Sequence, residues 1–216
     1  MYIPNSFRET DPAVMLDFIS AHPFGALITT SPSAGLFATH LPFLTDRARG
    51  AHGVLQGHIA RANPHHDTLD TVVDAMVIFT GPDAYITPSW YPAKQEHGKV
   101  VPTWNYVAVH VYGTLRFIDD RDFLMRHLDA LTDQHESSQP HPWAMHDAPH
   151  DFLEALARGT IGVELEITRL EGKWKMSQNR SHGDIDGVIT GLGASSSDRD
   201  RAVADHVASR KKITPH

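Results

Sequence analysis

The sequence contains no cysteine. This absence excludes disulfide bonds, zinc–thiolate sites and cysteine nucleophiles together. No run of about 18 apolar residues occurs, so no membrane-spanning helix is expected. The first residues also lack the basic and then apolar pattern of a secretory signal. These absences predict a cytoplasmic protein that does not associate with a membrane.

Motifs of several common enzyme classes are missing as well. The sequence has no G-x-S-x-G, no P-loop and no G-x-G-x-x-G, which removes the motifs of serine hydrolases, nucleoside triphosphatases and Rossmann domains. The H-E-x-x-H spacing is absent too, so no metal site is predicted. There is no helix-turn-helix and no basic stripe, and the formal net charge is −7. Any DNA binding is therefore expected to be weak or indirect.

What remains is a chain of 216 residues with 41% hydrophobic and 21% charged residues. These proportions are typical of a globular protein with one large domain and a short appendage. We expect one domain over residues 1–193. Residues 194–216 are polar and charged, and we expect them to form a surface helix or a tail.

Turn residues recur at close spacing along the chain and separate short apolar runs. They predict strands at 24–30, 36–44, 54–59, 75–80, 84–87 and 104–117, with a hairpin over 161–176. Helices are predicted at 12–21, after Asp120 and at 152–158, from their capping residues and apolar spacing. Many strands with few helices predict a mainly β fold with peripheral helices (α+β), arranged as an antiparallel barrel.

The segment from Ile86 to Tyr112 is rich in aromatic residues beside short polar ones. It holds the clusters Ser89-Trp90-Tyr91 and Thr103-Trp104-Asn105-Tyr106. Flat side chains next to hydrogen-bonding groups suit a planar ligand with polar edges. Partly buried tryptophans at strand ends explain the same pattern.

Three further groups carry polar side chains at strand ends. Arg61 follows a strand, and a guanidinium can hold a phosphate through two parallel hydrogen bonds; a surface arginine beside a helix-capping Asn63 is the alternative. Threonines and a histidine at 29–30 and 39–40 suit the edge of a ligand, although ordinary strand residues explain them almost as well. The stretch 173–181 mixes lysines, an arginine and amides, which suits an anion or a solvated strand end.

Five blocks appear in order along the chain: MYIPNSF, GHIARANP, YITPSWYPAK, VVPTWNYVAVHVYG and KMSQNRS. Together they resemble the PaiB-type FMN-binding negative transcriptional regulators, from Met1 to about Leu192. The resemblance implies the split-barrel fold shared with pyridoxamine phosphate oxidases and flavin reductases. It further implies FMN as cofactor and a homodimer with flavin between the subunits.

The resemblance also implies which residues contact FMN. Its phosphate is assigned to the strand end with His58, Arg61 and Asn63, with Arg61 as the main anchor. The isoalloxazine is assigned to Thr29, Thr30, His40 and Leu41. The facing strand or second subunit contributes Thr103, Trp104 and Asn105, and the pocket is closed by Gln178, Asn179 and Arg180.

Three functions stay open at this point. The first is a flavin-binding homodimer with redox or sensing chemistry, which includes a flavin-dependent oxidoreductase. The second is a regulator that acts without bound flavin, and the third is a heme-handling protein, which the sixteen histidines suggest. No side chain stands out as a general acid or base, so catalytic residues stay unknown. The dimer interface is expected on the strand face with Tyr106, His110 and Tyr112, which should not stay open to water.

Overall fold

The computed structural model describes residues 1–31, 35–66 and 73–211. The chain divides into two compact units. Unit 1 comprises Met1–Asp11, Thr80–Val109 and the chain from Glu171. Unit 2 comprises Pro12–Phe79 and His110–Leu170.

Eight strands form one sheet. They are β1 (Arg8–Glu9), β2 (Phe24–Ser31), β3 (Gly35–Pro42), β4 (Leu44–Asp46), β5 (Val54–Ala60), β6 (Val73–Ile86), β7 (Thr103–Ile118) and β8 (Thr160–Lys175). The order is β3-β2-β6-β7-β8-β5-β4, and β1 pairs with β8. The pairs β2–β3, β2–β6, β4–β5, β5–β8 and β1–β8 are antiparallel. The long strands β6, β7 and β8 contribute residues to both units.

The predicted alternation in β7 is confirmed. Val107, Val109, Val111 and Leu115 are buried, because every second side chain of a strand points to the same face. The hairpin predicted over 161–176 is wrong, since β8 is a single strand of 16 residues. Glu171 and Gly172 lie inside that strand, where Gly172 pairs with Glu9 of β1.

Three helices of unit 2 are α1 (Pro12–Ala21), α3 (Arg121–Glu136) and α4 (His150–Arg158). All three lie where capping residues and apolar spacing predicted them. The carboxylate of Asp120 accepts a hydrogen bond from the Phe123 backbone N–H at 2.6 Å. This contact satisfies one of the backbone donors at the helix start, which explains why α3 begins at Arg121.

Three helices of unit 1 are α2 (Ala93–Glu96), α5 (His182–Gly193) and α6 (Asp198–Lys211). The α5 helix was not predicted, because its glycines lower helix propensity. Gly191 allows close packing: a Cβ there would lie 2.3 Å from the Trp90 ring. The α6 helix lies in the predicted tail, of which 212–216 fall outside the described residues. Its side chains Val203, Ala204 and Val207 are buried, and the division at residue 193 stays a prediction.

Within the described ranges, every helix is too short or too polar to span a bilayer.

Candidate functional site

A buried polar cluster in unit 2 is centred on His65. Its Nε2 lies 2.8 Å from Thr29 Oγ1, and its Nδ1 lies 2.8 Å from Thr39 Oγ1. Burial lowers the pKa of His65, so the ring is neutral at pH 7 and donates from one nitrogen while it accepts at the other. Asn63 accepts from the His65 backbone N–H at 2.9 Å and donates to Thr39 Oγ1 at 3.2 Å. The cluster thus joins two predicted site residues, Thr29 and Asn63.

The opposite side of the same strands forms an open face. Along β2 and β3, the pairs are Ala26 with His40, Ile28 with Ala38 and Thr30 with Leu36. On the other edge of β2, Ala26 pairs with Ile78 and Ile28 with Met76. All these side chains are exposed or partly exposed. We name this surface the open sheet face, and it comprises Phe24, Ala26, Ile28, Thr30, Leu36, Ala38, His40, Met76 and Ile78.

Two of the four residues predicted along the isoalloxazine lie on the open sheet face. Thr30 and His40 are exposed there, and the His40 ring stacks on Phe24 with 6.1 Å between centroids. Thr29 and Leu41 are buried, since odd-numbered side chains of these strands point to the interior. The structure therefore divides the predicted set between two sides of the sheet.

His58 makes its ring contacts elsewhere in unit 2. Its Nδ1 lies 3.1 Å from Nε2 of His127 on α3. The two rings meet edge to face, and Phe123 stacks on His127. Burial, with the neighbouring His58, lowers the pKa of His127 to about 4. Two neutral imidazoles can share one hydrogen bond, which fits this pairing.

Arg61 follows β5, and its partners lie at the end of β7, at the end of α4 and at the start of β8. Its guanidinium donates to both carboxylate oxygens of Asp119, at 2.9 and 2.5 Å. It also donates to the carbonyl oxygens of Arg158 at 2.8 Å and Thr160 at 3.2 Å. A phosphate would have to replace Asp119 at this fork. The role of Arg61 as phosphate anchor stays a prediction.

In unit 1, three predicted residues gather at the end of β8. Lys175 Nζ donates to Thr103 Oγ1 and to the Trp104 carbonyl oxygen, both at 2.5 Å. Asn105 is buried and donates to Ser177 Oγ at 3.0 Å. Ser177 has a φ of 63°, a backbone conformation that is uncommon for residues other than glycine. The hydrogen bond from the buried Asn105 helps to hold Ser177 in this strained conformation.

The remaining predicted residues lie in the same turn. Gln178 holds the turn itself: its Oε1 accepts from the Met176 backbone N–H at 2.7 Å and its Nε2 donates to the Trp174 carbonyl at 2.5 Å. Arg180 lies over the Tyr91 ring, 4.9 Å from its centroid. Asn179 is exposed. Gln178 is therefore committed to the backbone, whereas the Arg180 guanidinium packs on the Tyr91 ring.

Three residues of these clusters were not among the predicted FMN contacts: Thr39, which was noted only as suited to the edge of a ligand, His65 and Lys175. Lys175 lies in the charged stretch 173–181, so the composition of that stretch gave a signal. For His65 no local signal exists, because its partners Thr29 and Thr39 are 36 and 26 residues away.

A second charged cluster of unit 2 surrounds the buried carboxylate of Glu164. Arg49 donates to both of its oxygens, at 2.6 and 2.9 Å, and Gln56 donates at 3.1 Å. Arg116 also donates to it. The guanidinium groups line a cavity of about 270 Å³. These bonds outweigh the effect of burial and lower the pKa of Glu164 to about 2.

The chain is similar to several known proteins. Residues 1–169 match the family described as "Putative FMN-binding domain". A protein of Emericella nidulans is 34% identical over 247 residues, covering 99% of this chain and 98% of that protein. Protease synthase and sporulation protein PAI 2 of Bacillus subtilis is 33% identical over 192 residues, covering 89% of each chain.

Among solved structures, the flavocytochrome Anf3 of Azotobacter vinelandii is similar with a TM-score of 0.54 and 14% identity. The match covers 78% of this chain and 69% of that one. This likeness confirms the predicted fold class, a mainly antiparallel split barrel with peripheral helices. The family match covers more than half of the chain and includes the blocks that carried the resemblance from MYIPNSF to VVPTWNYVAVHVYG. The chain therefore belongs to the PaiB-type FMN-binding family of split-barrel proteins, and FMN is its cofactor.

Proposed function

We propose that the chain binds FMN on the open sheet face of unit 2 and works as a flavoprotein homodimer in which a second copy covers the flavin. The observation that carries this proposal is the face itself: an exposed, mostly apolar surface with Thr30 and His40 as polar groups. An isoalloxazine ring offers apolar faces and polar edges, so it suits such a wall. When bound, FMN supplies redox chemistry, and the protein orients it and excludes water.

The residues behind the face support a rigid binding wall. His65, Thr29, Thr39 and Asn63 bond to one another on the interior side of β2 and β3. A buried polar network of this kind fixes the side chains and the strands that carry them. Thr29 and Leu41 then contribute by shaping the wall from behind, while Thr30 and His40 reach the ligand.

The second copy is argued from exposed apolar side chains. Phe24 is 63% exposed and Leu36 is 78% exposed, and both lie on the open sheet face. Contiguous apolar surface of this kind marks an interaction site. The face first expected at the interface is less open at Tyr112, since the Arg169 guanidinium covers that ring at 3.6 Å. The open sheet face is therefore our choice for the interface.

Ala38 offers a direct test, because it is exposed near the centre of the face. Ala38→Asp places a carboxylate where the flavin and the second copy would exclude water, and a desolvated charge is costly. We expect FMN affinity to fall at least roughly tenfold by flavin fluorescence, and light scattering to give the monomer mass. Ala130→Asp, at an exposed alanine of α3, is the control and should change neither. Unchanged FMN affinity and unchanged mass in Ala38→Asp would refute the proposal.

A regulatory role is the second candidate, and it is supported by the likeness to PAI 2 of Bacillus subtilis, whose name refers to protease synthesis and sporulation. With a formal net charge of −7, we expect such regulation to act through a partner or a small ligand rather than through direct DNA contact. A nanomolar, sequence-specific mobility shift by the pure protein at physiological salt would contradict that expectation.

A further inference from the structure

Three cations at the end of β8 in unit 1 have no acidic partner in the part of the chain that the structure describes. Lys173, Lys175 and Arg180 lie within one strand end and the turn that follows. Among the described residues, none of the three forms a salt bridge. The carboxylates of unit 1 that do form salt bridges are engaged elsewhere: Glu9 with Arg210, Asp83 with Arg199, Glu171 with the N-terminal amine, Asp186 with Lys211 and Asp198 with Arg201.

The contacts of these cations are neutral groups. Lys173 Nζ donates to the Tyr2 carbonyl oxygen at 3.2 Å and lies 5.1 Å from the Tyr106 ring centroid. Lys175 donates to a hydroxyl and a carbonyl, and Arg180 lies over Tyr91. Burial, followed by the charges of Lys173 and Arg180, lowers the pKa of Lys175. The positive charges therefore repel one another, and a bound anion would relieve the repulsion.

An exposed aromatic pair adjoins this group. Tyr85 is 50% exposed and Trp104 is 53% exposed. Their rings meet edge to face with 6.1 Å between centroids. Lys175 Nζ bonds to the backbone carbonyl oxygen of Trp104, so the ammonium group lies at the backbone of the residue that carries one of the two rings. Exposed aromatic rings beside donors offer a ligand an apolar wall and a charged end.

We infer that Tyr85, Trp104, Lys175 and Arg180 form a binding site for a planar aromatic anion, a small molecule with a carboxylate or phosphate on a ring. This ligand is distinct from FMN and binds beside Trp104 with its anionic group at Lys175 and Arg180. The inference goes beyond the proposed function and does not depend on where FMN binds. Trp104 and Arg180 were first predicted as FMN contacts, and in this inference they bind a different ligand.

The test uses phenyl phosphate as the probe and calorimetry on the FMN-saturated full chain. Phenyl phosphate is expected to bind, while benzyl alcohol, which lacks the anion, binds at least roughly tenfold more weakly, as expected when a charged hydrogen-bond partner is lost. Lys175→Gln and Arg180→Gln should each weaken phenyl phosphate by a similar factor. Lys94→Gln is the matched control in the same unit: Lys94 is exposed and bonds to Ser89 Oγ, so its loss should leave binding unchanged.

Trp104→Ala separates the ring from the anion. It should weaken phenyl phosphate and leave inorganic phosphate unchanged, because the latter has no ring to stack. Equal binding of inorganic phosphate and phenyl phosphate by the unaltered chain would overturn the aromatic part of the inference.

Two other outcomes would overturn the inference as a whole. If phenyl phosphate binds the FMN-free chain but not the FMN-saturated chain, and Lys175→Gln weakens FMN but not riboflavin, the cations hold the flavin phosphate instead. If phenyl phosphate does not bind while a DNA duplex binds and is lost in the same variants, the patch is a nucleic-acid contact. If phenyl phosphate binds but Ala38→Asp changes neither the FMN affinity nor the mass, this inference stands and the proposed FMN site is refuted.

Discussion

Replacing Glu164 by glutamine removes a buried charge without changing the shape of the side chain. The Glu164 residue is 3% exposed, and its carboxylate accepts hydrogen bonds from Arg49, Arg116 and Gln56. Its pKa lies at about 2, against an ordinary value of 4.5. The folded protein therefore favours the ionised form, and the carboxylate stabilises the fold at neutral pH.

The magnitude follows from the pKa. One pKa unit corresponds to about 1.36 kcal/mol, so the lowered pKa sets an upper limit of about 3 kcal/mol. The arginine side chains are 45% and 53% exposed, and solvent screening reduces the contribution to about 1–2 kcal/mol. Because the folded pKa is the lower one, the contribution is fully present above about pH 4.5. It is lost as the pH falls toward 2.

Urea unfolding of the chain and of Glu164→Gln measures the difference. We expect the variant to lose about 1–2 kcal/mol of unfolding free energy at pH 7, and the difference should shrink between pH 5 and pH 3. Glu166→Gln is the control, since Glu166 is exposed on the same strand and surface changes stay within about 0.5 kcal/mol. An equal effect of the two substitutions, or a difference that does not depend on pH, would refute the reasoning.

Three further predictions follow from individual contacts. Arg61→Ala should weaken FMN roughly tenfold to a hundredfold and riboflavin much less, if Arg61 anchors the phosphate; equal losses in a fluorescence titration would assign Arg61 to its pair with Asp119 in the fold. His127 has a folded pKa of about 4, below the ordinary 6.5, so stability should fall as the pH drops from about 6.5 toward 4. In urea titrations at pH 7 and pH 5, His127→Gln should reduce the loss of stability between the two pH values. An unchanged loss would contradict the role of His127. Gly191→Ala should destabilise the protein by about 1–3 kcal/mol in thermal unfolding through its clash with Trp90. Gly193→Ala should not destabilise the protein, because the space around Gly193 is open. Equal melting temperatures of the two variants would contradict the packing argument.

Local signals in the sequence predicted the elements that depend on neighbouring residues. Asp120 caps α3 through a backbone donor three residues away, and the alternation of β7 reports burial directly. Glu171-Gly172 was predicted as a hairpin turn, and this prediction was wrong. The stretch stays extended in β8 because β1, from the start of the chain, pairs with it. Such a distant pairing partner overrides local turn preference.

The candidate site was predicted less completely, because its contacts join distant parts of the chain. His58 and Arg61 were chosen by residue type, yet their partners His127 and Asp119 are 69 and 58 residues away. Thr30 and His40 could be placed on an exposed face by strand alternation. No pattern in the sequence near His65 predicts that its ring is buried between two threonines.

Hydrogen–deuterium exchange with and without FMN tests the location of the flavin most directly. The β3 strand ends the sheet order. Among the described residues, one edge of its backbone is therefore not paired within the sheet, and its amides report what covers it. We predict that FMN slows exchange in residues 35–42 and leaves residues 121–136 of α3 unchanged. Unchanged exchange at 35–42, with slower exchange confined to residues beyond 171, would contradict an FMN site on the open sheet face.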